Sequence, residues 1–146
     1  MGDYSLPLAN QTAVVTGASS GIGNAIATTF AQQGANLIIH ANTNQAGLEA
    51  TATEIRDCGR DVTLLYADLT STAGQASLVE QAFQANEQIN IWVNNAGRDV
   101  LTGDAADWSF EKKLPLILHL NKHEKLSKES YAYIKRFKRI QNVLVF

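Results

Sequence analysis

Short runs of apolar residues alternate along the first hundred positions with longer stretches that are apolar on one side only. The short runs are rich in β-branched residues, which favours buried strands. They are Thr12–Thr16, Asn36–His40, Val62–Ala67 and Ile89–Asn94, and Ile140–Phe146 is a later run of the same kind. Because the runs are apolar throughout and do not alternate with polar residues, they indicate a parallel sheet that is covered on both faces.

The stretches between the runs have the periodicity of amphipathic helices. Residues 22–33 place Ile22, Ile26 and Phe30 on one apolar face, and Gly34 provides a stop after them. Helices are also predicted over residues 44–57 and 71–86. Their inward faces consist of Leu48, Ala52 and Ile55 in one helix and of Leu78, Val79, Ala82 and Phe83 in the other.

Strands joined by helices form right-handed crossovers and add to a sheet side by side. We therefore predict an α/β fold built on a doubly wound parallel sheet. The first four strands are expected in the order 3-2-1-4, with a fifth strand from about residue 140. No linker divides the chain, so we expect a single domain over residues 1–146.

Composition excludes several classes of protein. The chain has 146 residues, of which 45% are hydrophobic and 18% are charged, and this is enough to bury a core without disulfides or metals. A single cysteine, Cys58, excludes an internal disulfide. The sequence shows no secretory signal and no apolar run of the ~18 residues that a transmembrane helix requires. We expect a soluble protein of the cytoplasm.

Charge is distributed unevenly along the chain. Residues 1–110 have three basic and eleven acidic residues, a balance of −8, whereas residues 111–146 have nine basic and three acidic residues, a balance of +6. A basic tail can bind nucleic acid or a membrane surface. Its lysines lack the interleaved aromatic pattern on which bases stack, so a solvated helix face is preferred and no nucleic-acid or membrane partner is predicted. A truncated gene or a change of reading frame is a further alternative.

A glycine-rich segment lies where the first predicted strand turns into the first helix. It reads Thr16-Gly17-Ala18-Ser19-Ser20-Gly21-Ile22-Gly23. Glycine lets the backbone approach a phosphate closely, and the N–H groups and positive dipole of a helix N-terminus attract an anion. Ser19 and Ser20 add hydroxyl donors. The spacing G-x-x-x-G-x-G differs from the standard dinucleotide fingerprint, so a tight connection without a ligand is the alternative.

Two polar segments follow later strands, at the carboxyl ends where open α/β sheets bind ligands. Asp68-Leu69 follows the third strand, and Asn94-Asn95-Ala96-Gly97 follows the fourth. The Asp68 carboxylate is able to accept a hydrogen bond from an adenine amino group. A turn or helix-cap aspartate is the alternative for Asp68, and a plain turn is the alternative for residues 94–97.

Together these segments resemble the cofactor motifs of the short-chain dehydrogenase/reductase family, in order and at the proper separation. The resemblance covers residues from about 10 to 110 and is strong toward bacterial 3-oxoacyl carrier-protein reductases and sugar dehydrogenases. It implies a Rossmann-like fold and hydride transfer between NAD(P) and an alcohol or carbonyl substrate. By this resemblance the pyrophosphate contacts Gly17, Ser19, Ser20, Gly21, Ile22 and Gly23, the adenine contacts Asp68 and Leu69, and the adenosine ribose contacts Asn94, Ala96 and Gly97.

The loop after the second strand bears on the choice between NAD and NADP. An acidic residue there hydrogen-bonds the ribose hydroxyls and repels a 2′-phosphate, but none occurs between His40 and Glu49. Thr43 and Asn44 are able to donate to a phosphate, although no arginine or lysine accompanies them. This pattern favours NADP over NAD as the cofactor.

The family's catalytic group combines a Tyr-x-x-x-Lys helix, an upstream serine and an asparagine in the fourth helix. By the resemblance Asn121, which follows Asn94 by 27 residues, matches the asparagine. Tyr131 and Lys135 have the Tyr-x-x-x-Lys spacing, but they precede the predicted fifth strand, whereas the family's pair follows it. We interpret Tyr131 and Lys135 as a coincidental match, with a displaced catalytic pair as the minor alternative.

The resemblance therefore implies a sheet that is incomplete at its C-terminal end and a chain that lacks the catalytic serine, tyrosine and lysine. Two function classes follow: an oxidoreductase by descent that is inactive as this chain, or a dinucleotide-binding module that acts through binding or a partner chain. Family members are usually oligomers, but Lys122, His123, Glu124 and Lys125 place polar groups where the family packs a dimer interface. His119 and His123 have no third ligand nearby, so no metal site is predicted.

Overall fold

Five parallel strands and three helices make up the part of the chain that the structure describes. The computed structural model describes residues 6–97 and the backbone of residues 142–145. The elements are β1 (Thr12–Val15), α1 (Gly21–Gln32), β2 (Asn36–Ala41), α2 (Gln45–Asp57), β3 (Val62–Tyr66), α3 (Thr72–Ala85), β4 (Ile91–Asn94) and β5 (Asn142–Val145). The five strands and three helices predicted from the apolar pattern are all present, and their ends lie within two residues of the predicted ones. The fourth helix that the family resemblance implies lies outside the described residues.

The strand order β3-β2-β1-β4-β5 confirms the predicted doubly wound arrangement. All neighbouring strands are parallel, and Val14 of β1 is paired with Ile38 on one side and with Trp92 on the other. The chain adds β2 and β3 on one side of β1 and then returns to add β4 on the other side. Such a reversal leaves a crevice at the carboxyl ends of β1 and β4, where open α/β sheets bind their ligands.

The apolar strands bury one cluster of side chains against each face of the sheet. On the first face the strand residues pack with α1 and α2, and they are Ala13, Val15, Leu37, Ile39, Ala41, Ile91 and Val93. On the second face Val14, Ile38, Leu65 and Trp92 pack with Leu78, Val79 and Ala82 of α3. Successive strand residues point to opposite faces, so a run that is apolar throughout supplies both clusters. At the sheet edge β3 departs from this pattern, because its Thr63 and Tyr66 are exposed.

Helices α2 and α3 bury the predicted faces and begin at capped residues. The inward residues of α2 are Leu48, Thr51, Ala52 and Ile55, and those of α3 are Gln75, Leu78, Val79 and Ala82. Asn44 Oδ1 accepts a hydrogen bond from Gly47 N–H, and Ser71 Oγ accepts one from Gly74 N–H, each at 3.0 Å. Such caps satisfy N–H groups that have no partner within the helix. Within residues 6–97 no helix has the length and apolarity to cross a bilayer.

The buried face of α1 differs from the predicted one. Ile22 is 68% exposed, and Ile26 and Phe30 are only partly buried. The residues that α1 turns toward the sheet are small, namely Gly23, Ala27 and Ala31. Small side chains let the helix backbone lie close to the strands. The prediction is therefore right in part, because Ile26 and Phe30 pack against the core, and it is wrong for Ile22. The periodicity of the sequence indicates where apolar residues lie on the helix. The distance between helix and sheet depends here on how small the side chains between them are.

The two faces of α1 are expected to respond in opposite ways to substitution. Ala27→Leu should lower the free energy of unfolding by about 1–3 kcal/mol, because added volume strains a packed core. Ile22→Ala should change it by no more than about 0.5 kcal/mol, because most of the side chain is already in solvent. Urea unfolding followed by far-ultraviolet circular dichroism measures both changes. A larger loss for Ile22→Ala than for Ala27→Leu would restore the face that periodicity predicts.

Candidate functional site

The glycine-rich segment forms the loop between β1 and α1, beside the end of β4. Gly17 has φ +66°, in the left-handed region that glycine adopts without strain. A Cβ atom at Gly17 would lie 2.7 Å from the Cα of Ala96. A Cβ atom at Gly23 would collide with the carbonyl oxygen of Gly17 and with the side-chain amide of Asn95. Because Gly17 and Gly23 have no side chains, the start of the loop, the first turn of α1 and the segment after β4 are able to approach one another closely at the crevice.

Residues that follow β4 fix the start of this loop. The Thr16 hydroxyl accepts hydrogen bonds from the N–H groups of Asn95 and Ala96, each at 3.0 Å, and donates to the carbonyl of Val93 at 3.4 Å. In return Asn95 Nδ2 donates to the carbonyls of Thr16 and Gly17, each at 3.2 Å. The segment 94–97 is therefore more than a plain turn, because Asn95 and Ala96 are bonded to the first two residues of the β1–α1 connection.

Helix α2 holds the next part of the loop. The Thr51 hydroxyl donates to the carbonyl of Ala18 at 2.8 Å and accepts from Asn24 Nδ2 at 2.9 Å. A Cβ atom at Gly47 would collide with the carbonyl oxygen of Ser19, so α2 also lies directly against the loop. As a result the carbonyls of residues 16, 17 and 18 all accept hydrogen bonds from side chains of the surrounding elements.

Unlike these carbonyls, the first N–H groups of α1 have no hydrogen-bond partner among the described residues. The N-cap residue of α1, Ser20, makes no side-chain hydrogen bond to the first turn, unlike the caps of α2 and α3. Among the described residues none accepts a hydrogen bond from the N–H groups of Gly21, Ile22 or Gly23. The first turn also contains no acidic residue. Unbonded N–H groups at the positive end of a helix dipole are suited to bind a phosphate.

Asp68 forms the turn between β3 and α3. Its Oδ1 accepts from the N–H of Thr70 at 2.9 Å and from the Thr70 hydroxyl at 2.7 Å. Its backbone carbonyl accepts from the N–H and the hydroxyl of Ser71. The turn aspartate that the sequence allowed is thus present, and it is exposed at the carboxyl end of β3. The side chain of Leu69 is buried in the cluster beneath α3, where it serves the core.

The other predicted cofactor residues occupy different environments. Asn94 is buried, and its Oδ1 accepts from Trp92 Nε1 at 3.0 Å. Ala96 is half-buried, Gly97 is exposed, and Thr43 is exposed after β2. Asn121, Tyr131 and Lys135 lie outside the described residues, as do His119 and His123. In the part of the chain that is described, no group of three or more His, Cys, Asp or Glu side chains is placed to hold a metal ion.

Sequence reasoning missed two residues that contact the loop, Thr51 and His40. Both are polar residues at positions that otherwise belong to an apolar pattern. Thr51 lies on the buried face of α2 between Leu48 and Ile55, and His40 lies in an apolar strand with only 1% of its surface exposed. Buried polar groups require hydrogen-bond partners, so a polar residue on an inward face is the signal that points to such contacts.

Comparison with known proteins agrees with this geometry. A profile of the short chain dehydrogenase family matches residues 11–121. The chain belongs to the short-chain dehydrogenase/reductase family. It is 40% identical over 90 residues to a short-chain dehydrogenase/reductase, FrzI, of Cladobotryum sp., a match covering 62% of this chain and 35% of that protein. It is 40% identical over 96 residues to the 3-oxoacyl-(acyl-carrier-protein) reductase FabG of Chlamydia trachomatis, covering 64% and 39%. The matches thus span less than two fifths of these relatives.

Solved structures of the short-chain dehydrogenase/reductase family have the same fold. A metagenomic short-chain oxidoreductase in complex with NADP superposes with a TM-score of 0.77 and 29% identity, over 94% of this chain and 62% of that one. A short-chain type dehydrogenase/reductase from Mycobacterium marinum superposes with a TM-score of 0.74 and 25% identity, over 88% and 51%. The Rossmann-like sheet expected from the sequence is confirmed.

Alanine substitutions at Gly17 and Gly21 are expected to separate two contributions to the free energy of unfolding, the close packing of the loop and its backbone conformation. Gly17 and Gly21 both have left-handed φ values, which cost alanine about 1–2 kcal/mol. Only Gly17 has backbone atoms in the way, since nothing lies within 4 Å of a Cβ at Gly21. Gly17→Ala should therefore lower the unfolding free energy by a further ~1–3 kcal/mol relative to Gly21→Ala. Urea unfolding of the two variants measures the difference, and equal losses would mean that the loop withdraws from β4 without cost.

Proposed function

We propose that the loop of residues 16–23 binds the pyrophosphate of a nicotinamide dinucleotide. The observation that carries the proposal is the division of its backbone groups: carbonyls 16–18 accept hydrogen bonds from within the protein, whereas the N–H groups of Gly21, Ile22 and Gly23 are bonded to no described residue. An anion is the ligand that such donors suit. The chain is thus the cofactor-binding part of an NAD(P)-dependent oxidoreductase that acts on an alcohol or a carbonyl compound.

The charges near the loop support an anionic ligand held by neutral donors. The sequence contains no Asp, Glu, Lys or Arg between Asp3 and Glu49, so no carboxylate on α1 or its flanking loops repels a phosphate. No cation there attracts one either, and the helix dipole and the N–H groups supply the attraction. Ser20, whose hydroxyl does not cap α1, adds a donor to the phosphate, and the neighbouring Ser19 adds a second hydroxyl donor. The exposed side chain of Ile22 offers the apolar part of the ligand a surface.

The adenosine half of the ligand is proposed to extend from the loop toward β2 and β3. Asp68 is exposed at the carboxyl end of β3, where it is placed to accept from an adenine amino group. Leu69 and Asn94, whose side chains are buried, contribute through their backbones. Ala96 and Gly97 follow β4 on the other side of the loop and line the ribose.

The loop after β2 supports NADP over NAD as the cofactor. Thr43 is exposed there, and the acidic residue that comes next, Glu49, lies on α2 with a carboxylate 3.6 Å from the guanidinium of Arg56. A carboxylate at the end of β2 would bind the ribose hydroxyls and repel a 2′-phosphate. Asn44 Oδ1 caps α2, so Thr43 is the side chain of this loop that we assign to the phosphate. The metagenomic relative that superposes on this chain holds NADP.

Cofactor fluorescence titration tests the binding. We expect saturable but weak binding, because the residues of the proposed site contact the pyrophosphate and the adenosine half and make few contacts with the nicotinamide half. We expect NADPH to bind more tightly than NADH. Gly23→Ala should abolish saturation, since its Cβ would displace the Gly17 carbonyl. Gly59→Ala is the control away from the loop: its φ of +70° makes alanine lower the stability, but nothing lies within 4 Å of its Cβ position, so binding should be unchanged. No saturation by either cofactor at millimolar concentration would contradict the proposed site, and tighter binding of NADH would reverse the preference.

We further propose that the chain binds the cofactor without significant turnover. Tyr131 and Lys135 precede β5, which pairs with β4, whereas the pair that supplies the proton in the family follows the fifth strand. Asn121 alone does not supply that proton. Loss of one acid/base group costs about 10²–10⁴-fold in rate. On this proposal the sequence offers no match to the family's catalytic serine and lysine either. The non-catalytic dinucleotide-binding module is therefore the second candidate function.

NADPH oxidation with a panel of ketones, aldehydes and 3-oxoacyl thioesters measures turnover. We expect no rate above that of the cofactor alone, because the alkoxide formed by hydride transfer has no proton donor. The Tyr131→Phe variant is the control and should behave like the unaltered chain. Robust turnover that disappears in Tyr131→Phe would show instead that Tyr131 and Lys135 are a displaced catalytic pair.

A further inference from the structure

His40 joins the glycine-rich loop to the ends of β2 and β3. It lies in β2 with 1% of its surface exposed. Its Nδ1 accepts from the N–H of Gly17 at 3.3 Å, and its backbone carbonyl accepts from the N–H of Ala18 at 2.9 Å. Its Nε2 lies 2.9 Å from the carbonyl oxygen of Ala67, which follows β3. Two consecutive N–H groups of the loop are thus bonded to this one residue.

The two ring contacts are compatible with a single tautomer. The Gly17 N–H only donates and the Ala67 carbonyl only accepts, so Nδ1 carries the lone pair and Nε2 carries the hydrogen. The imidazole is neutral in this state. An aliphatic side chain at this position would form neither the bond to Gly17 nor the bond to Ala67, because it has no polar atoms.

We propose that His40 is a positioning residue for dinucleotide binding. Its imidazole bonds the N–H group of Gly17, next to the Ala18 N–H that its backbone carbonyl bonds, and so holds in place the loop that leads to the unbonded N–H groups at the start of α1. This inference rests on the function proposed for the loop. Gly17 is the residue of the loop with φ +66° beside β4, and glycine has the widest choice of conformation. Thr16 and Asn95 hold the loop from the β4 side, and His40 holds it from the β2 side.

Asparagine and glutamine separate the two ring contacts of His40. The side-chain oxygen of asparagine is attached to Cγ, as Nδ1 is in histidine, whereas the amide of glutamine lies one bond farther out, near the place of Nε2. His40→Asn therefore retains an acceptor for the Gly17 N–H but loses the bond to Ala67. His40→Gln retains a donor for the Ala67 carbonyl but loses the bond to the loop. The two variants are matched in polarity, and each breaks one buried hydrogen bond.

Cofactor titration of both variants tests the inference. We expect His40→Asn to bind NADPH within about threefold of the unaltered chain and His40→Gln to bind it about tenfold more weakly, the effect of one buried N–H left without an acceptor. Urea unfolding of both variants checks that their losses of stability are similar. A residue with a merely structural role would weaken binding equally in the two variants, and that result would overturn the proposal, as would unchanged binding in His40→Gln.

NMR tests the contacts of His40 without any cofactor, and the signals of the ring nitrogens do so in the unaltered chain. We expect Nδ1 of His40 to have the shift of an unprotonated nitrogen and Nε2 that of a protonated one. The Gly17 amide signal should move in His40→Gln and stay near its place in His40→Asn. A proton on Nδ1 overturns the proposal even where His40→Gln fails to fold. If the unaltered chain binds neither NADPH nor NADH, the function proposed for the loop fails, and these NMR signals judge the contact of His40 by themselves.

Discussion

The close approach of Gly17 to Ala96 is the constraint on which the candidate site depends. It requires β4 to lie beside β1 in the register that pairs Val15 with Val93. It also requires glycine at positions 17 and 23, where a Cβ atom would collide with the backbone of Ala96 and with the carbonyl of Gly17 respectively. Given that approach, the Thr16 hydroxyl and the Asn95 amide complete reciprocal hydrogen bonds across the two strand ends. The position of α1, and with it the direction of its dipole, follows from these contacts.

Much of the fold could be predicted because its determinants are local and repeated. A strand buried on both faces is apolar at every position, and this pattern identified the four strands before Asn95 and the sheet they form. The glycine-rich segment was placed correctly between a strand and a helix for the same reason, since its sequence and its context agree. The face of α1 was predicted only in part, because periodicity weighs large apolar residues, whereas the most buried residues of the helix are Gly23, Ala27 and Ala31. Ile26 and Phe30 pack against the core, but Ile22 is exposed.

The parts of the site that sequence alone did not reveal are long-range and depend on single atoms. The bond from Thr51 to Ala18 joins residues 33 apart, and the bond from Gly17 to His40 joins residues 23 apart. No spacing rule encodes them, because they depend on how α2 and β2 lie against the loop in three dimensions. For Asp68 the hydrogen bonds with Thr70 show that the carboxylate builds the turn, whereas its contact with adenine stays a prediction.

The pairing of β1 with β4 has a consequence for how the chain reaches its native topology. Strands β1, β2 and β3 follow one another with a single helix between each pair, whereas Asn95 meets Thr16 across 79 residues of chain. The pairs of β1 with β4 join residues 78 apart, such as Ala13 and Ile91, whereas those of β4 with β5 join residues 51 apart, such as Ile91 and Asn142. The closure of β4 onto β1 therefore has the largest entropic cost of the strand pairings in the described sheet. The carbonyls of Thr16 and Gly17 lose the Asn95 amide wherever this closure is undone. A ligand that binds only the closed arrangement adds its binding free energy to that contact, so dinucleotide would select the fully wound sheet from partly paired ones.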